Sequence, residues 1–219
     1  MTGITPSHAW PVEAVRARYP RSPYFSLALR LKIFSLAKAP ILEVIGDHGT
    51  VLDVGCGFGF VSLSIAVARP SLSVIGVDPD PRRVRVATRA AGGLANVSFV
   101  CADARSYEYP RCRAVVFFDV LHHLRIPDQD AVLRRVGEAI EPGGVLVVFE
   151  VDGDRRPGLR YWMSYLSDVV LYPLSVRCQF RSRADLAAAA RRAGLALQEW
   201  VVPPGGFGAP IVYLFRKPQ

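Results

Sequence analysis

The chain has 219 residues, 27 of them Lys or Arg against 19 Asp or Glu, giving a formal net charge of +8 with 51% hydrophobic and 21% charged residues. That length sets one domain, with room for an appendage, and the composition excludes disorder, a collagen-like fibre and a charged coiled coil. Area scaling takes about 70% of the unfolded chain's surface out of water, enough for one large core without staples.

The first twenty residues lack a basic-then-apolar leader pattern. No uncharged apolar run reaches the ~18 residues of a membrane span. The nearest, 159–176, carries Arg160, Asp168 and Pro173. The expected location is cytoplasmic, or peripheral to the inner face of the membrane. Cys56, Cys101, Cys112 and Cys178 lie far apart, with no C-x-x-C pair and no histidine at ligand spacing. Isolated buried thiols are therefore expected, with no disulfide framework and no metal. Lysine occurs only at Lys32, Lys38 and Lys217; the arginine bias reflects a GC-rich coding sequence as much as any phosphate contact. The basic charge suits nucleic acid, anionic lipid or an acidic carrier as partner.

In chain order, helical signals occupy 25–45, a strand is expected over 50–54, and a glycine-rich turn leads into a helix over 60–69 that stops before Pro70. A strand at 73–77 precedes Asp80-Pro81, an N-cap and first-turn proline for a helix that ends at Gly92-Gly93. Strands follow at 97–100 and 114–118, then a helix over 128–140 closed by Pro142-Gly143-Gly144, then a strand at 145–149. These strands are continuous apolar runs, which a parallel sheet covered on both faces requires. Repeated strand–helix units with right-handed crossovers give a doubly wound α/β sheet. Beyond an aromatic-rich, helical stretch at 159–176, Ser182 to Asp185 resembles a capping box opening a helix over 186–193. Two strands at 196–202 and 211–215, joined by a short Pro/Gly loop, read as a hairpin that supplies a C-terminal antiparallel strand.

Chemistry concentrates after the strands. Asp53 precedes Gly55, Cys56, Gly57, Phe58 and Gly59, a G-x-G-x-G turn between strand and helix that allows close backbone approach to a nucleoside. A dinucleotide site would place its third glycine where Phe60 stands. Asp78, followed by Pro79, ends the second strand and can accept from ribose hydroxyls. Asp103 with Ala104 follows the third strand, and Asp119 with Val120 the fourth. Four acids after four successive strands suit a positively charged nucleoside without phosphate.

These motifs, in this order over about 50–150, resemble the Rossmann-like, class I S-adenosylmethionine-dependent methyltransferases. The resemblance implies a mostly parallel seven-stranded sheet with helices on both faces and a reversed C-terminal strand. It implies S-adenosylmethionine as cofactor and S-adenosylhomocysteine as product. Asp53 and the run from Gly55 through Cys56 and Gly57 to Gly59 would line the methionine part, Asp78 the ribose, Asp103 with Ala104 the adenine, and Asp119 the sulfonium and amino group. The expected organisation is a helical cap over 1–49 and a methyltransferase domain over 50–219 with a lid insertion at about 153–182.

Family members that methylate base or amide nitrogens carry N-P-P-Y or D-P-P-Y after strand four. Here the run is Asp119-Val120-Leu121-His122-His123-Leu124, similar to small-molecule and lipid methyltransferases. His122 and His123 are candidate bases, since imidazole titrates near neutrality, or else they cap the strand and pack under the cofactor. His123 is the one placed toward the acceptor. Glu150 and Asp152 alternate onto one face after strand five, to hold the acceptor or to anchor the next loop. Arg155, Arg156, Arg160, Arg177, Arg181 and Arg183 flank the insertion, either meeting an anionic group on the acceptor or solvating a greasy lid. Tyr161, Trp162, Tyr165 and Tyr172 in the insertion, with Tyr19, Tyr24 and Phe25 near the N-terminus, are candidates for the roof of an apolar pocket, or core.

The expected reaction is methyl transfer to a hydrophobic small molecule, on oxygen before carbon or nitrogen, the acceptor lipid-like or borne by a carrier protein. The protein is expected to be a monomer or homodimer. The rivals are a nicotinamide-dependent oxidoreductase, an RNA methyltransferase and a catalytically silent cofactor-binding protein.

Overall fold

The computed structural model describes residues 10–20, 41–154, 178–201 and 210–219. Most of the helical stretch expected over 25–45, the aromatic stretch at 159–176 and nearly all of the loop at 203–210 lie outside the described residues, as do Tyr24, Phe25, Arg155, Arg156, Arg160 and Arg177. The described elements are α1 (Val12–Arg16), α2 (Ile41–Val44), β1 (Gly49–Val54), α3 (Phe60–Ala68), β2 (Leu72–Asp78), α4 (Pro81–Ala90), β3 (Val97–Cys101), β4 (Cys112–Phe118), a 3-10 turn (Leu121–His123), α5 (Ile126–Ala139), β5 (Ile140–Val151), α6 (Arg183–Arg192), β6 (Ala196–Val201) and β7 (Pro210–Arg216).

Local chemistry sets the helix starts. The Asp80 side chain accepts from the Arg82 amide with Pro81 in the first turn, and the Ser182 hydroxyl accepts from the Asp185 amide. α5 begins earlier than its polar pattern implies, because Pro127 fits the first turn, where no amide donor is needed. β5 also starts early. Pro142-Gly143-Gly144 does not end an element but forms an irregularity inside the strand, where the pairing shifts between Cys112 and Ala114. Gly143 has φ +73°, and a side chain at Gly144 would overlap the Arg113 carbonyl at 2.7 Å.

The seven strands form one sheet in the order β3-β2-β1-β4-β5-β7-β6. β1 to β5 are parallel; β7 pairs antiparallel with both β5 and β6. The reversed strand therefore lies inside the sheet and β6 takes the edge. One face packs Val51, Val74, Val116, Phe118 and Val147 against α2 and α3. The other packs Leu52, Val54, Val115, Phe117 and Val148 against α5 and α6. Residues alternate between the two cores along each strand, as the pleat demands. Helices follow β1 and β2 on one face and β4 on the other, so the chain reverses its winding between β1 and β4. In open α/β sheets ligands bind at that switch point, beyond the carboxyl ends of the strands.

All four cysteines are reduced thiols, with Cys56 and Cys112 buried, Cys178 half-buried and Cys101 exposed. The exposure of Cys101 corrects the expectation of uniformly buried thiols; it ends the edge strand β3. Among the described residues no helix is long and apolar enough to cross a membrane.

Candidate active site

The turn after β1 is built around Asp78 and Asp53. Asp78 is buried; one carboxylate oxygen accepts from the Gly57 amide at 2.9 Å and the other from the Asp80 amide at 2.9 Å. The Gly55 and Cys56 amides both donate to the Val77 carbonyl, so the glycine turn is sewn to the end of β2. Asp53 faces α3, where one of its oxygens accepts from the Ser62 amide at 3.0 Å and from the Ser62 hydroxyl at 2.5 Å. Its visible work is to hold the first turn of the helix that starts after Gly59, the left-handed N-cap.

Two glycines in the turn differ. Gly55 (φ +77°) is pressed by Val120, whose methyl carbons would lie 2.4 and 2.6 Å from an added Cβ. Gly57 (φ +56°) has nothing within 4 Å of that position. The turn is closed toward β4 at Gly55 and open at Gly57.

Tyr19, buried, lays its ring on Phe60 at 4.6 Å and donates its hydroxyl to the Phe58 carbonyl at 2.8 Å. Burial, with Cys56 and Asp53 nearby, raises its phenol far above the ordinary value, so it serves as a neutral donor. It braces the glycine turn from the core.

Asp103 accepts from the Arg105 amide at 2.8 Å and from its guanidinium through both oxygens. The Arg105 side-chain hydrogen bonds hold the Asp103 carboxyl below the usual carboxylate range. Ala104 accepts at its carbonyl from the Tyr109 hydroxyl. Pro79 is exposed beside them. Sequence reading missed Arg105, although an arginine two residues after an aspartate at a strand end signals a local turn.

After β4 the backbone turns sharply. Asp119 has φ +64°, the left-handed region that short Asp side chains tolerate. Its amide donates to the Phe149 carbonyl. Glu150, at the end of β5, organises the residues beyond Asp119. One of its oxygens accepts from the Val120 and Leu121 amides at 3.0 and 2.6 Å, and the other takes His122 Nδ1 at 2.6 Å. Nδ1 is thus the ring nitrogen that Glu150 engages. His122 is buried between Phe180 (4.9 Å between ring centres) and His123 (4.1 Å). The Gln179 amide donates to the His122 carbonyl, while the Gln129 side-chain amide donates to the Leu124 and Gln179 carbonyls. Residues 178–180 are thereby pinned beside the histidines, a placement no local signal announces.

Asp152, fully buried, accepts from the Arg183 guanidinium and the Asp154 amide. Its geometry anchors α6 to β5, and Arg183 is taken up in doing so. Arg181 is likewise engaged by Gln129, the Ile126 carbonyl and Asp130. Asp78, Asp103, Asp119, His122, His123 and Glu150 thus gather at the carboxyl end of the sheet, while Asp53 and Asp152 are turned into the layers that support it.

Residues 51–144 match the family described as a methyltransferase domain. The 2-methyl-6-phytyl-1,4-hydroquinone methyltransferase of Synechocystis sp. is 28% identical over 132 residues, 59% of this chain and 41% of that protein. An uncharacterized methyltransferase of Mycobacterium tuberculosis is 36% identical over 132 residues, 58% of this chain and 64% of that protein. The matches thus span less than two thirds of the length of these curated relatives. Among solved structures, the apo S-adenosylmethionine-dependent methyltransferase SibL superposes with a TM-score of 0.67 at 25% identity, over 97% of this chain and 63% of that one.

Two measurements test this geometry. Gly57→Ala is expected to lose only the left-handed strain, about 1–2 kcal/mol, and Gly55→Ala to lose that plus a repacking penalty of about 1–3 kcal/mol. Equal losses in urea denaturation would show that the Val120 contact carries no weight. Arg105→Ala is expected to raise the Asp103 carboxyl toward about 3.9, followed by carboxyl-carbon NMR. A depressed carboxyl favours the folded state above its unfolded value, and that contribution fades as the pH falls through the folded value. The two proteins should therefore differ in stability at neutral pH and converge in acid.

Residues 51–144 thus match a methyltransferase domain, and the chain shares the Rossmann-like fold of the S-adenosylmethionine-dependent methyltransferase SibL.

Proposed function

We propose that this chain transfers the methyl group of S-adenosylmethionine to a hydroxyl of a hydrophobic small molecule. The observation that carries the reading is the gathering of Asp78, Asp103 and Asp119 at adjacent strand ends around a glycine turn whose open side is Gly57.

The residues present fit such a cofactor. A carboxylate offers about four lone-pair sites; two backbone amides occupy part of Asp78, leaving acceptors for two ribose hydroxyls. Asp103 with Ala104 would receive the adenine, and Pro79 would flank the ribose. Gly55, Cys56, Gly57 and Gly59, backed by Asp53, would line the methionine part. Asp119 and Val120 would face the sulfonium and amino group. Bound there, the cofactor supplies an electrophilic methyl group, and the protein contributes alignment and exclusion of water.

On the acceptor side, the imidazoles of His122 and His123 activate the hydroxyl, and Glu150 positions His122. Oxygen is favoured over nitrogen because the turn at 119–124 carries this histidine pair in place of the paired prolines of nitrogen-methylating members. The hydrophobic class is supported by the relative that acts on a phytyl hydroquinone. We place Asp152 outside the reacting centre, since its carboxylate is spent on Arg183. The proposed organisation keeps a cap over 1–49 and a lid insertion at about 153–182. The acceptor is free, lipid-borne or carrier-borne, met in the cytoplasm or at the membrane's inner face. The +8 charge favours RNA as a second acceptor class, which predicts binding that weakens steeply with salt.

The test separates the two halves of the site. By calorimetry, Asp78→Asn is expected to weaken S-adenosylhomocysteine binding at least ~10-fold, about 1.4 kcal/mol. His123→Ala is expected to leave that affinity within about twofold while lowering turnover roughly 10²–10⁴-fold. Equal loss of cofactor affinity in both variants contradicts the assignment.

A further inference from the structure

We propose that His122, His123 and Cys178 form a binding site for a zinc ion at the acceptor side of the sheet. The proposal rests on the reading above in placing acceptor activation at the histidine pair, and deepens it by assigning that activation to a bound ion in place of the free imidazoles, since a nitrogen that ligates zinc cannot also take a proton.

One ring nitrogen from each histidine and the Cys178 sulfur lie within 4.8 Å of one another. Ligands of a tetrahedral zinc ion, with bonds of about 2.0–2.3 Å, sit roughly 3.5–3.8 Å apart, so closing the site needs about 1 Å of side-chain rotation. Two imidazoles and a thiolate are the donor set that borderline-soft cations select over carboxylate or water oxygen.

The ring orientations support the assignment. Glu150 engages His122 Nδ1, so the ring nitrogen assigned to zinc in this proposal is the other one, Nε2, in the cluster with His123 and Cys178. A carboxylate behind a ligating histidine is the usual outer partner of a zinc site, raising the ligand's basicity and holding its ring. Both ring nitrogens of His123 are buried. Cys178 is held in place by its neighbours: the Gln179 amide donates to the His122 carbonyl and the Phe180 ring stacks on His122.

A rival cluster, Asp119 with His122 and Glu150, lies on the Nδ1 side. There Glu150 is already occupied by two amides and the ring itself, so that side reads as a hydrogen-bond network. Three protein ligands leave a fourth tetrahedral position, the pattern of a reactive zinc site. A hydroxyl of the acceptor would fit that position, where zinc would lower its pKa so that the proton passes to solvent and the oxygen becomes the nucleophile. On zinc binding the Cys178 thiol loses its proton to solvent and the sulfur becomes the charged ligand.

The experiment uses the full chain, stripped with chelator and titrated with zinc chloride, with cobalt chloride as the optical probe. The expected result is one equivalent bound, with a sulfur-to-cobalt charge-transfer band and the visible absorption of a tetrahedral ion. Cys178→Ser is expected to abolish the charge-transfer band, and Glu150→Gln to weaken zinc about 10–100-fold. Circular dichroism establishes that each variant is folded, and the wild-type cobalt spectrum needs no variant. No stoichiometric binding, or binding with the same spectrum in Cys178→Ser, overturns the proposal. S-adenosylhomocysteine calorimetry on the stripped protein runs alongside. Cofactor binding without zinc binding sinks the zinc site alone, whereas loss of cofactor binding sinks the function reading.

Discussion

The buried carboxylate of Glu150 is the interaction on which the acceptor side of this structure depends. A carboxylate taken out of water is costly unless its lone pairs are filled. Here two amides of the turn after β4 and the His122 ring fill them. The turn needs those bonds as much as the acid does, since Asp119 has already left the strand in a left-handed conformation and the next amides have no strand partner. One side chain at the end of β5 therefore decides where the turn after β4 lies and which way the His122 ring faces. Removing it would leave both an unsatisfied helical turn and an imidazole without a fixed tautomer.

The cofactor side is joined to that turn through Val120. Its amide is held by Glu150, and its methyl groups press on the backbone of Gly55. Gly55 and Cys56 are in turn bonded to Val77, one residue before Asp78. The chain of contacts runs from β5 through β4 and β1 to β2, across four adjacent strands. The two ends of the proposed methyl-transfer line are thus placed by one rigid frame, which alignment of an electrophile and a nucleophile requires.

Much of this was legible in the sequence because it is local. Asp80-Pro81, the Ser182 box, the continuous apolar strands and the acids after them each rest on short-range chemistry, and together they place the site at the carboxyl edge. The illegible part depends on residues far apart in the chain. The apposition of Asp152 and Arg183, the stacking of Phe180 on His122 and the approach of Cys178 to the histidine pair need the folded sheet. So does the place of β7 between β5 and β6, which hairpin chemistry alone leaves open. Pro142-Gly143-Gly144 was misleading for the opposite reason. The residues that usually punctuate an element here supply the positive φ and the close backbone approach of an irregular strand.

The central claim, that this frame delivers a methyl group to a hydrophobic small molecule, is tested most directly with methyl-labelled S-adenosylmethionine. The labelled cofactor and the protein are added to a cell extract, which is then separated into lipids, small polar metabolites, proteins and RNA. Label in the organic phase is the predicted result. Label in RNA, or in no fraction while the cofactor is demonstrably bound, would contradict the claim.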